Sequence, residues 1–299
     1  MQAVLTRETG EPEVLSLEEI DRPEPGEGEV LIRVRATAVN PVDWKQRRGL
    51  SQSDLPGVFG RDVAGTVEAS RAKGFAEGDE VFANVRGGGY AEFTTADANA
   101  TAKKPAGLGF KQAAALPVAG MTAWQALFDT GGLEAGQTAL VAGAAGGVGH
   151  LAVQFAKHAG ARVIGTGSAR NRDFVLGLGA DEYVDYTEQD VGDAVSDADV
   201  AFDTVGGDTT ESLAPTLREG GVLVTIASAP PEEAAAARGA RAELLVMSPS
   251  SEELRRIGEL VASGEVRVEI AELLPLSEVR RAHEQSESGH VRGKIVLTV

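Results

Sequence analysis

Apolar and polar positions follow two different rhythms along the chain. Over roughly the first 120 residues, short alternating runs such as Glu29–Ala38 are separated by turns rich in glycine and proline, a pattern typical of half-buried strands. After Gly120, apolar runs alternate with stretches of helical periodicity. These apolar runs are residues 138–143, 162–166, 199–205 and 222–227. Because strands that alternate with helices build βαβ units, the second region predicts a parallel sheet.

Residues 250–264 carry the pattern of one amphipathic helix. Ser250 and Glu253 have the spacing of a capping box. The apolar positions that follow lie on one helical face and are Leu254, Ile257, Leu260 and Val261. A last segment, residues 266–299, ends in an apolar run that is typical of a strand.

These elements predict an α/β protein with two domains. Residues 1–120 and 265–299 are expected to form one β-rich domain, because the strand-like ending matches the first rhythm. Residues 121–264 are expected to form a doubly wound domain inserted into it. A chain of 299 residues is long enough to give each domain its own core.

Composition narrows the classes of partner. The formal net charge of -17 would repel a phosphate backbone, so we expect no nucleic-acid partner. No apolar run approaches the roughly 18 residues of a membrane helix, and the first residues lack a signal-peptide pattern. A cytoplasmic protein without a membrane partner is therefore predicted. The absence of cysteine excludes disulfides, thiolate nucleophiles and cysteine zinc ligands.

A glycine-rich turn within residues 138–166 is the strongest chemical signal. It lies between a predicted strand and a predicted helix that leads to a second strand, the context that a dinucleotide-binding turn requires. Gly146 allows the backbone to approach a pyrophosphate, and Gly149 allows the helix to pack closely, although Ala144 replaces the usual first glycine. The turn residues expected to line the cofactor are Ala144, Ala145, Gly146, Gly147, Val148 and Gly149.

The end of the second strand favours NADP(H) over NAD(H). A carboxylate at this place would accept hydrogen bonds from the ribose 2'-hydroxyl of NAD, and no carboxylate is present. Ser168, Arg170 and Arg172 instead offer a hydroxyl and two guanidinium groups to a 2'-phosphate. The alternative is a solvated basic patch at the start of a helix.

Six ordered motifs resemble the medium-chain dehydrogenase/reductase superfamily, in particular its zinc-free, zeta-crystallin-like quinone oxidoreductase branch. The motifs cover almost the whole chain and are NPVDWKQRRG (40–49), PGVFGRDVAGTV (56–67), GDEVFA (78–83), AAALPVAGMTAW (113–124), GAAGGVG (143–149) and HVRGKIVLTV (290–299). The resemblance implies a Rossmann doubly wound parallel sheet inserted into a β-rich, GroES-like substrate domain.

The same resemblance argues against a metal. Asp43 stands where the zinc enzymes of the superfamily would place their first ligand, and Arg61 and Asp62 stand where a His-Glu pair would follow. The four histidines show no clustered ligand spacing. We therefore expect hydride transfer to an acceptor that is already electrophilic, such as a quinone or an α,β-unsaturated carbonyl.

The resemblance also implies roles for residues outside the turn. Asn40 and Asp43 to Lys45 would flank the nicotinamide and the substrate, with Asn40 and Lys45 as the catalytic candidates and Lys45 as a proton donor. The further residues expected beside the cofactor are Thr122, Tyr186, Val205, Ala227, Ser228, Arg292 and Lys294. Five of these residues also have a simpler interpretation: Asn40 as a turn residue, Lys45 as a solvated lysine, Tyr186 as a half-buried strand residue, and Arg292 with Lys294 as cations on an edge strand.

Two other functions stay open at this point. An enoyl-thioester reductase of fatty-acid or polyketide metabolism would use the same scaffold and the same hydride step. A structural or redox-sensing protein that binds NADPH with little turnover would need only the binding motifs. The resemblance further implies a homodimer that forms through the edge strand of the nucleotide domain.

Overall fold

The computed structural model describes all 299 residues, which form two compact units. The first unit comprises Met1–Met121 and Pro249–Val299, and the second unit comprises Thr122–Ser248. The chain passes from the first unit to the second between Met121 and Thr122, close to the boundary predicted at residue 120. The chain returns to the first unit at Pro249, well before the predicted return at residue 265.

Strands and helices cover similar shares of the chain. The sixteen strands are β1 (Gln2–Thr6), β2 (Leu15–Glu19), β3 (Glu29–Val39), β4 (Gly57–Val58), β5 (Asp62–Ser70), β6 (Glu80–Asn84), β7 (Phe93–Asp97), β8 (Thr101–Lys103), β9 (Thr138–Ala142), β10 (Arg162–Gly167), β11 (Glu182–Asp185), β12 (Ala198–Asp203), β13 (Leu217–Thr225), β14 (Arg241–Leu244), β15 (Ile270–Pro275) and β16 (Lys294–Thr298).

The helices are mostly short. The ten α-helices are α1 (Pro41–Arg47), α2 (Phe110–Ala114), α3 (Pro117–Trp124), α4 (Gly149–His158), α5 (Arg172–Gly177), α6 (Val191–Ala194), α7 (Asp208–Leu213), α8 (Glu232–Ala236), α9 (Ser251–Ala262) and α10 (Val279–Glu287). A π-helical segment, Gln125–Thr130, follows α3, and single 3-10 turns occur at Pro12–Val14, Ala98–Ala100, Ala169–Asn171, Ala214–Thr216 and Leu276–Glu278. None of the helices has the length and apolar character that crossing a membrane requires.

The first unit is β-rich, as its alternating pattern predicts. Its seven-stranded sheet has the order β15-β16-β3-β5-β6-β8, with β7 paired to β3, and a three-stranded sheet has the order β2-β1-β4. Along β3, Val30, Ile32 and Val34 are buried while Arg33 and Arg35 are exposed. This alternation gives the sheet one apolar face, which packs into the core.

The second unit is a Rossmann sheet. Its six strands are all parallel and have the order β11-β10-β9-β12-β13-β14, the doubly wound order of dinucleotide-binding domains. The four apolar runs of the sequence coincide with β9, β10, β12 and β13. The predicted fold class, an α/β protein with a doubly wound sheet inserted into a β-rich domain, is confirmed.

Helix α9 belongs to the first unit and corrects the predicted second boundary. The helix begins as predicted, because the Ser250 side chain accepts a hydrogen bond from the Glu253 backbone N–H at 3.2 Å. Its buried face packs on the β-rich unit: a Cβ atom at Gly258 would lie 2.7 Å from the Phe82 ring. The sequence shows that α9 has an apolar face, but it does not show which sheet that face covers.

Candidate cofactor and active site

The glycine turn follows β9 and has the tight geometry that its sequence predicts. Gly143 has φ +71°, and a Cβ atom there would collide with the Thr204 hydroxyl oxygen. The Gly146 backbone N–H donates to the Gly143 carbonyl at 2.9 Å, which closes the turn. Glycine is therefore required at residue 143, where other side chains are strained and obstructed.

Helix α4 begins at the end of this turn. A Cβ atom at Gly149 would collide with the Gly143 carbonyl oxygen, so only glycine allows the helix to start so close to β9. A Cβ atom at Gly146 would meet that same oxygen at 3.3 Å and would otherwise fill the open space in front of the turn. The first N–H groups of a helix have no intrahelical partner and attract anions. The turn thus fits a pyrophosphate.

The substitution at Ala144 is accommodated by a second glycine. Ala144 is fully buried, and its backbone N–H donates to the Thr166 carbonyl at 3.1 Å. A Cβ atom at Gly165, on the neighbouring strand β10, would lie only 3.1 Å from the Ala144 methyl group. The missing side chain at residue 165 therefore makes room for the methyl group at residue 144.

The loop after β10 carries the predicted basic residues. Arg170 and Arg172 are exposed, and Ser168 is half-buried. Two residues of β11 lie against the loop: the Tyr183 hydroxyl donates to the Ser168 carbonyl at 2.8 Å, and the Asp185 carboxylate faces the Ala169 backbone N–H. The three predicted phosphate ligands thus lie on one short, tethered segment.

Tyr186 lies beside this loop with its side chain 60% exposed, and its backbone N–H donates to the Gly167 carbonyl at 3.3 Å. The reading of Tyr186 as a half-buried strand residue is therefore wrong. Its ring is available at the end of β10, where the adenosine end of a dinucleotide is expected.

Asp203, at the end of β12, organises the next edge of the predicted site. One carboxylate oxygen accepts from the backbone N–H groups of Val205 and Gly206 at 2.8 and 3.1 Å. The other oxygen accepts from the hydroxyls of Thr210 and Thr225 at 2.5 and 3.0 Å. Sequence reasoning missed this residue, although an aspartate at a strand end with glycines three and four residues later is a typical turn signal.

This turn leaves Val205 55% exposed and keeps Ala227 and Ser228 half-buried at the end of β13. A Cβ atom at Gly143 would lie 2.9 Å from a Val205 methyl group, so the ends of β9 and β12 are direct neighbours. The strand order reverses between these two strands, and ligands of open parallel sheets bind at such a switch point. The structure therefore brings together the predicted residues of the turn and of the strand ends.

The first unit holds a different group of predicted residues inside its core. The Asn40 side-chain amide donates to Asp62 Oδ2 at 2.8 Å, and the Lys294 ammonium donates to Asn40 Oδ1 at 2.5 Å. Lys294 Nζ also lies 3.5 Å from Asp62 Oδ2, and the other Asp62 oxygen accepts from the Val118 backbone N–H. All three side chains are buried.

A second buried chain of polar groups starts at Asp43. Its Oδ2 atom accepts from the Asn40 backbone N–H at 2.8 Å and from the Tyr90 hydroxyl at 2.7 Å. His283 Nε2 lies 3.3 Å from that hydroxyl. Burial raises the pKa of the Asp43 carboxyl to about 6. Burial, together with the charge of Arg47, lowers the pKa of His283 to about 3.

These contacts correct the predicted roles of Asp43 and Lys294. Asp43 is fully buried, and Lys294 is only 3% exposed. Lys294 lies on β16 between β15 and β3, so it is neither an edge-strand cation nor an exposed phosphate ligand. Both residues instead fix Asn40, whose buried amide is bonded on both its oxygen and its nitrogen. The sequence could not show this, because residues 40, 62 and 294 meet only in the fold.

The remaining predicted residues, Lys45, Thr122 and Arg292, differ in their burial. Lys45 is half-buried on α1, with its ammonium 5.8 Å from the centre of the Trp44 ring. Thr122 is buried, and Arg292 is exposed just before β16.

A zinc site does not fit this arrangement of residues. No group of three histidine, cysteine, aspartate or glutamate side chains is placed to hold a metal ion. Asp43 and Asp62 stand where ligands of the zinc enzymes are expected. Asp62 uses both carboxylate oxygens for the internal hydrogen bonds described above and faces the Lys294 cation, and Asp43 Oδ2 already accepts two hydrogen bonds.

Known proteins resemble both parts of the chain. Residues 26–115 match the alcohol dehydrogenase GroES-like domain family, and residues 178–297 match the family described as zinc-binding dehydrogenase. The chloroplast envelope quinone oxidoreductase homolog of Arabidopsis thaliana is 38% identical over 92% of this chain and 91% of its own length.

The NADPH-dependent alkenal/one oxidoreductase of the same plant, a chloroplastic protein, is 37% identical over 99% of this chain and 79% of its own length. Among solved structures, the quinone oxidoreductase from Coxiella burnetii superposes with a TM-score of 0.93 at 36% identity, and the match covers 100% of this chain and 99% of that one. With similarity at this level along the full length, the chain belongs to the quinone oxidoreductases of the medium-chain dehydrogenase/reductase superfamily.

Proposed function

We propose that this protein is an NADPH-dependent oxidoreductase that reduces a quinone or an α,β-unsaturated carbonyl. The observation that carries the proposal is that the turn Gly143 to Gly149, the Ser168 to Arg172 loop and the end of β12 lie together at the carboxyl ends of neighbouring parallel strands in one Rossmann unit. Relatives named as quinone and alkenal/one oxidoreductases support the acceptor class. These relatives favour a quinone or enone reductase over an enoyl-thioester reductase and over an NADPH-binding protein without turnover.

The cofactor would be held along the ends of the parallel strands. The α4 N-terminus and the Gly146 backbone would receive the pyrophosphate, and Ser168, Arg170 and Arg172 would receive the 2'-phosphate. Tyr186 would face the adenosine, while Val205, Ala227 and Ser228 would line the strand ends. When bound, reduced NADPH supplies the hydride. The remaining chemistry is positioning of the acceptor and delivery of one proton.

Reduction of an enone also requires a proton donor. Of the two catalytic candidates, Asn40 is buried with both side-chain polar atoms bonded, so we assign it to holding α1 and the end of β3 in place. Lys45 is half-buried on the same helix and keeps its ammonium beside an aromatic ring. We propose Lys45, or solvent, as the source of the proton.

The direct test is NADPH oxidation by the purified protein against three sets of acceptors: substituted quinones, 2-alkenals with 2-alkenones, and a 2-enoyl thioester. We expect turnover with at least one of the first two sets and slow or no turnover with the thioester. Tight binding of NADPH without turnover of any acceptor would contradict the proposal and favour a binding protein. Turnover of the thioester alone would favour the enoyl-thioester reductase.

A matched pair of variants tests the proton donor. Lys45→Met removes the ammonium, and Lys45→Arg keeps a cation that gives up its proton far less readily. If Lys45 donates the proton, both variants lower kcat for enones about 100-fold, within the range for general acid catalysis. If solvent donates it, both variants keep kcat within about three-fold of the wild type.

We also propose a homodimer formed through β14. This strand is at the edge of the parallel sheet, and the apolar side chains of Leu244 and Val246 are 51% and 79% exposed on and just after it. An open edge with exposed apolar residues is suited to pairing with a second copy. Sedimentation analysis should give a dimer for the wild type and a monomer for Val246→Glu. The cytoplasmic location and the absence of a nucleic-acid partner stay predictions.

A further inference from the structure

Tyr183 is a buried aromatic residue with a polar contact that the proposed function has not used. It lies on β11, the outermost strand of the parallel sheet, paired with Gly165 of β10. Its ring reaches along β10, because a Cβ atom at Gly167 would lie 2.5 Å from the Tyr183 hydroxyl oxygen. The absence of a side chain at residue 167 therefore makes space for the hydroxyl.

The hydroxyl fixes the start of the basic loop. It donates to the Ser168 carbonyl at 2.8 Å, and Ser168 is the first residue after β10. The N–H of Ala169, in the same peptide group, faces the second β11 side chain, Asp185. Asp185 also accepts from the Thr187 backbone N–H at 2.9 Å and from the Thr187 hydroxyl at 2.6 Å. One peptide group of the loop, between Ser168 and Ala169, is thus held from β11 on both its carbonyl and its N–H side.

The same ring supports the end of the loop. The Arg172 guanidinium carbon lies 5.8 Å from the centre of the Tyr183 ring, within the range of a cation–π contact. Arg172 is also close enough to Asp185 to help lower the pKa of that carboxyl, after the larger effect of the Thr187 hydrogen bonds. Tyr183 therefore touches both ends of the Ser168 to Arg172 loop, with its hydroxyl at the first residue and its ring at the last.

We infer that Tyr183 is a specificity-determining positioning residue, which holds the Ser168 hydroxyl and the Arg172 guanidinium in place for a 2'-phosphorylated dinucleotide. This inference rests on the proposed NADPH dependence and deepens it. Tyr183 is buried, so it acts through the loop and does not touch the phosphate itself. A prearranged loop loses less conformational entropy when the phosphate binds, so the benefit falls on NADPH and not on NADH.

The test compares binding of 2',5'-ADP and 5'-AMP by calorimetry, because these two probes differ only in the 2'-phosphate. The ratio of their affinities is measured within each variant, so partial unfolding affects both values equally. Tyr183→Phe removes the hydroxyl and keeps the ring. We expect the ratio to fall about five-fold, the effect of one net hydrogen bond, while 5'-AMP binding changes less than about two-fold.

Gly167→Ala provides an independent route to the same contact. Its methyl group would displace the Tyr183 hydroxyl, so it should lower the ratio to a similar extent. Because both changes break one hydrogen bond, the double variant should show no further loss, a clear departure from additivity. Glu182→Gln is the matched control on β11, since Glu182 pairs with Arg162 at the other end of β10, and it should leave the ratio unchanged.

The outcomes separate the two proposals. A ratio that stays within about two-fold of the wild type in both Tyr183→Phe and Gly167→Ala would overturn the inference, even if the enzyme reduces enones with NADPH. A wild type that binds 2',5'-ADP no better than 5'-AMP would overturn it as well. The affinity ratio could depend on Tyr183 while none of the quinones, enals or enones supports NADPH oxidation. That result would sustain the inference and overturn the proposed function.

Discussion

In the first unit, Asn40, Asp62 and Lys294 satisfy one another inside the core, whereas in the second unit Arg170, Arg172 and Tyr186 stand exposed at the ends of parallel strands. When a buried polar group loses its partner, water cannot replace that partner, so the free energy of unfolding falls. When an exposed group loses its partner, water replaces it and the free energy of unfolding changes little. Substitutions in the first unit should therefore change stability, and those in the second should change cofactor affinity.

The largest effect is expected for Lys294→Met. It removes the cation from the buried cluster and leaves Asp62 and the Asn40 carbonyl without their charged neighbour. Breaking a buried pair in this way destabilises a protein by about 3–5 kcal/mol. Urea denaturation should show this loss in the free energy of unfolding.

The double variant Lys294→Met/Asp62→Asn sharpens the test. It also removes the carboxylate that Lys294 faces, so it should be more stable than Lys294→Met alone. If the two substitutions simply add, Lys294 and Asp62 are not coupled, and the buried cluster does not act as one unit.

The next effect concerns the pH dependence of Asp43. Burial raises its folded pKa from 3.8 to about 6, so the folded state binds more protons than the unfolded state between these values. Stability from this group is thus present below about pH 4 and is lost as the pH rises through 6. Asp43→Asn cannot titrate. Its stability relative to the wild type should rise by about 2 kcal/mol between pH 4 and pH 7.

His283→Phe serves as the comparison, because the effect of His283 on the pH dependence of stability has the opposite sign to that of Asp43. Its pKa falls from 6.5 to about 3 in the folded protein, so the unfolded state binds more protons and stability rises with pH across that interval. Relative to the wild type, His283→Phe should therefore lose stability as the pH rises from 4 to 7. The same slope for both variants in urea denaturation across this range would contradict the assignment.

Substitutions at two glycines of the second unit should affect stability and cofactor binding differently. Gly149→Ala places a methyl group against the Gly143 carbonyl and should lower the free energy of unfolding by about 1–3 kcal/mol. Gly146→Ala meets that carbonyl only at 3.3 Å, so its stability should change by less than about 1 kcal/mol. Its methyl group would nevertheless obstruct the pyrophosphate, and NADPH affinity should fall about ten-fold. Equal effects of the two variants on stability would contradict the geometry of the turn.

The same contrast explains what the sequence could predict. Local signals were sufficient where the structure depends on neighbouring residues: the strands β9, β10, β12 and β13, the glycine turn, and the Ser250 cap of α9 are all confirmed. The exposed positions of Arg170, Arg172 and Val205 follow from their places after strands. In this unit the ends of parallel strands meet at one edge, so the topology alone brings the predicted residues together.

Long-range pairing limited the rest. Asn40, Asp62 and Lys294 are far apart in the sequence, and no local pattern shows that the lysine lies on an inner strand. The predicted return of the chain at residue 265 is too late, because the apolar face of α9 fits either sheet and only its contact with Phe82 decides between them. The contact by which Gly165 makes room for Ala144 could not be predicted for the same reason. Ala144 follows β9 and Gly165 lies on β10, so the two residues meet only once these strands have paired.

The smallest effect on stability, with a clear effect on binding, is expected for Arg172→Leu. Arg172 is exposed, so the free energy of unfolding should change by less than about 0.5 kcal/mol. Loss of a charge-assisted hydrogen bond to a 2'-phosphate should lower NADPH affinity about ten-fold and leave NADH affinity unchanged. Arg162→Leu is the matched control, because Arg162 is an exposed arginine at the opposite end of β10. If both substitutions weaken NADPH binding equally, the effect comes from the overall charge of a strongly acidic protein and not from a site at the end of β10.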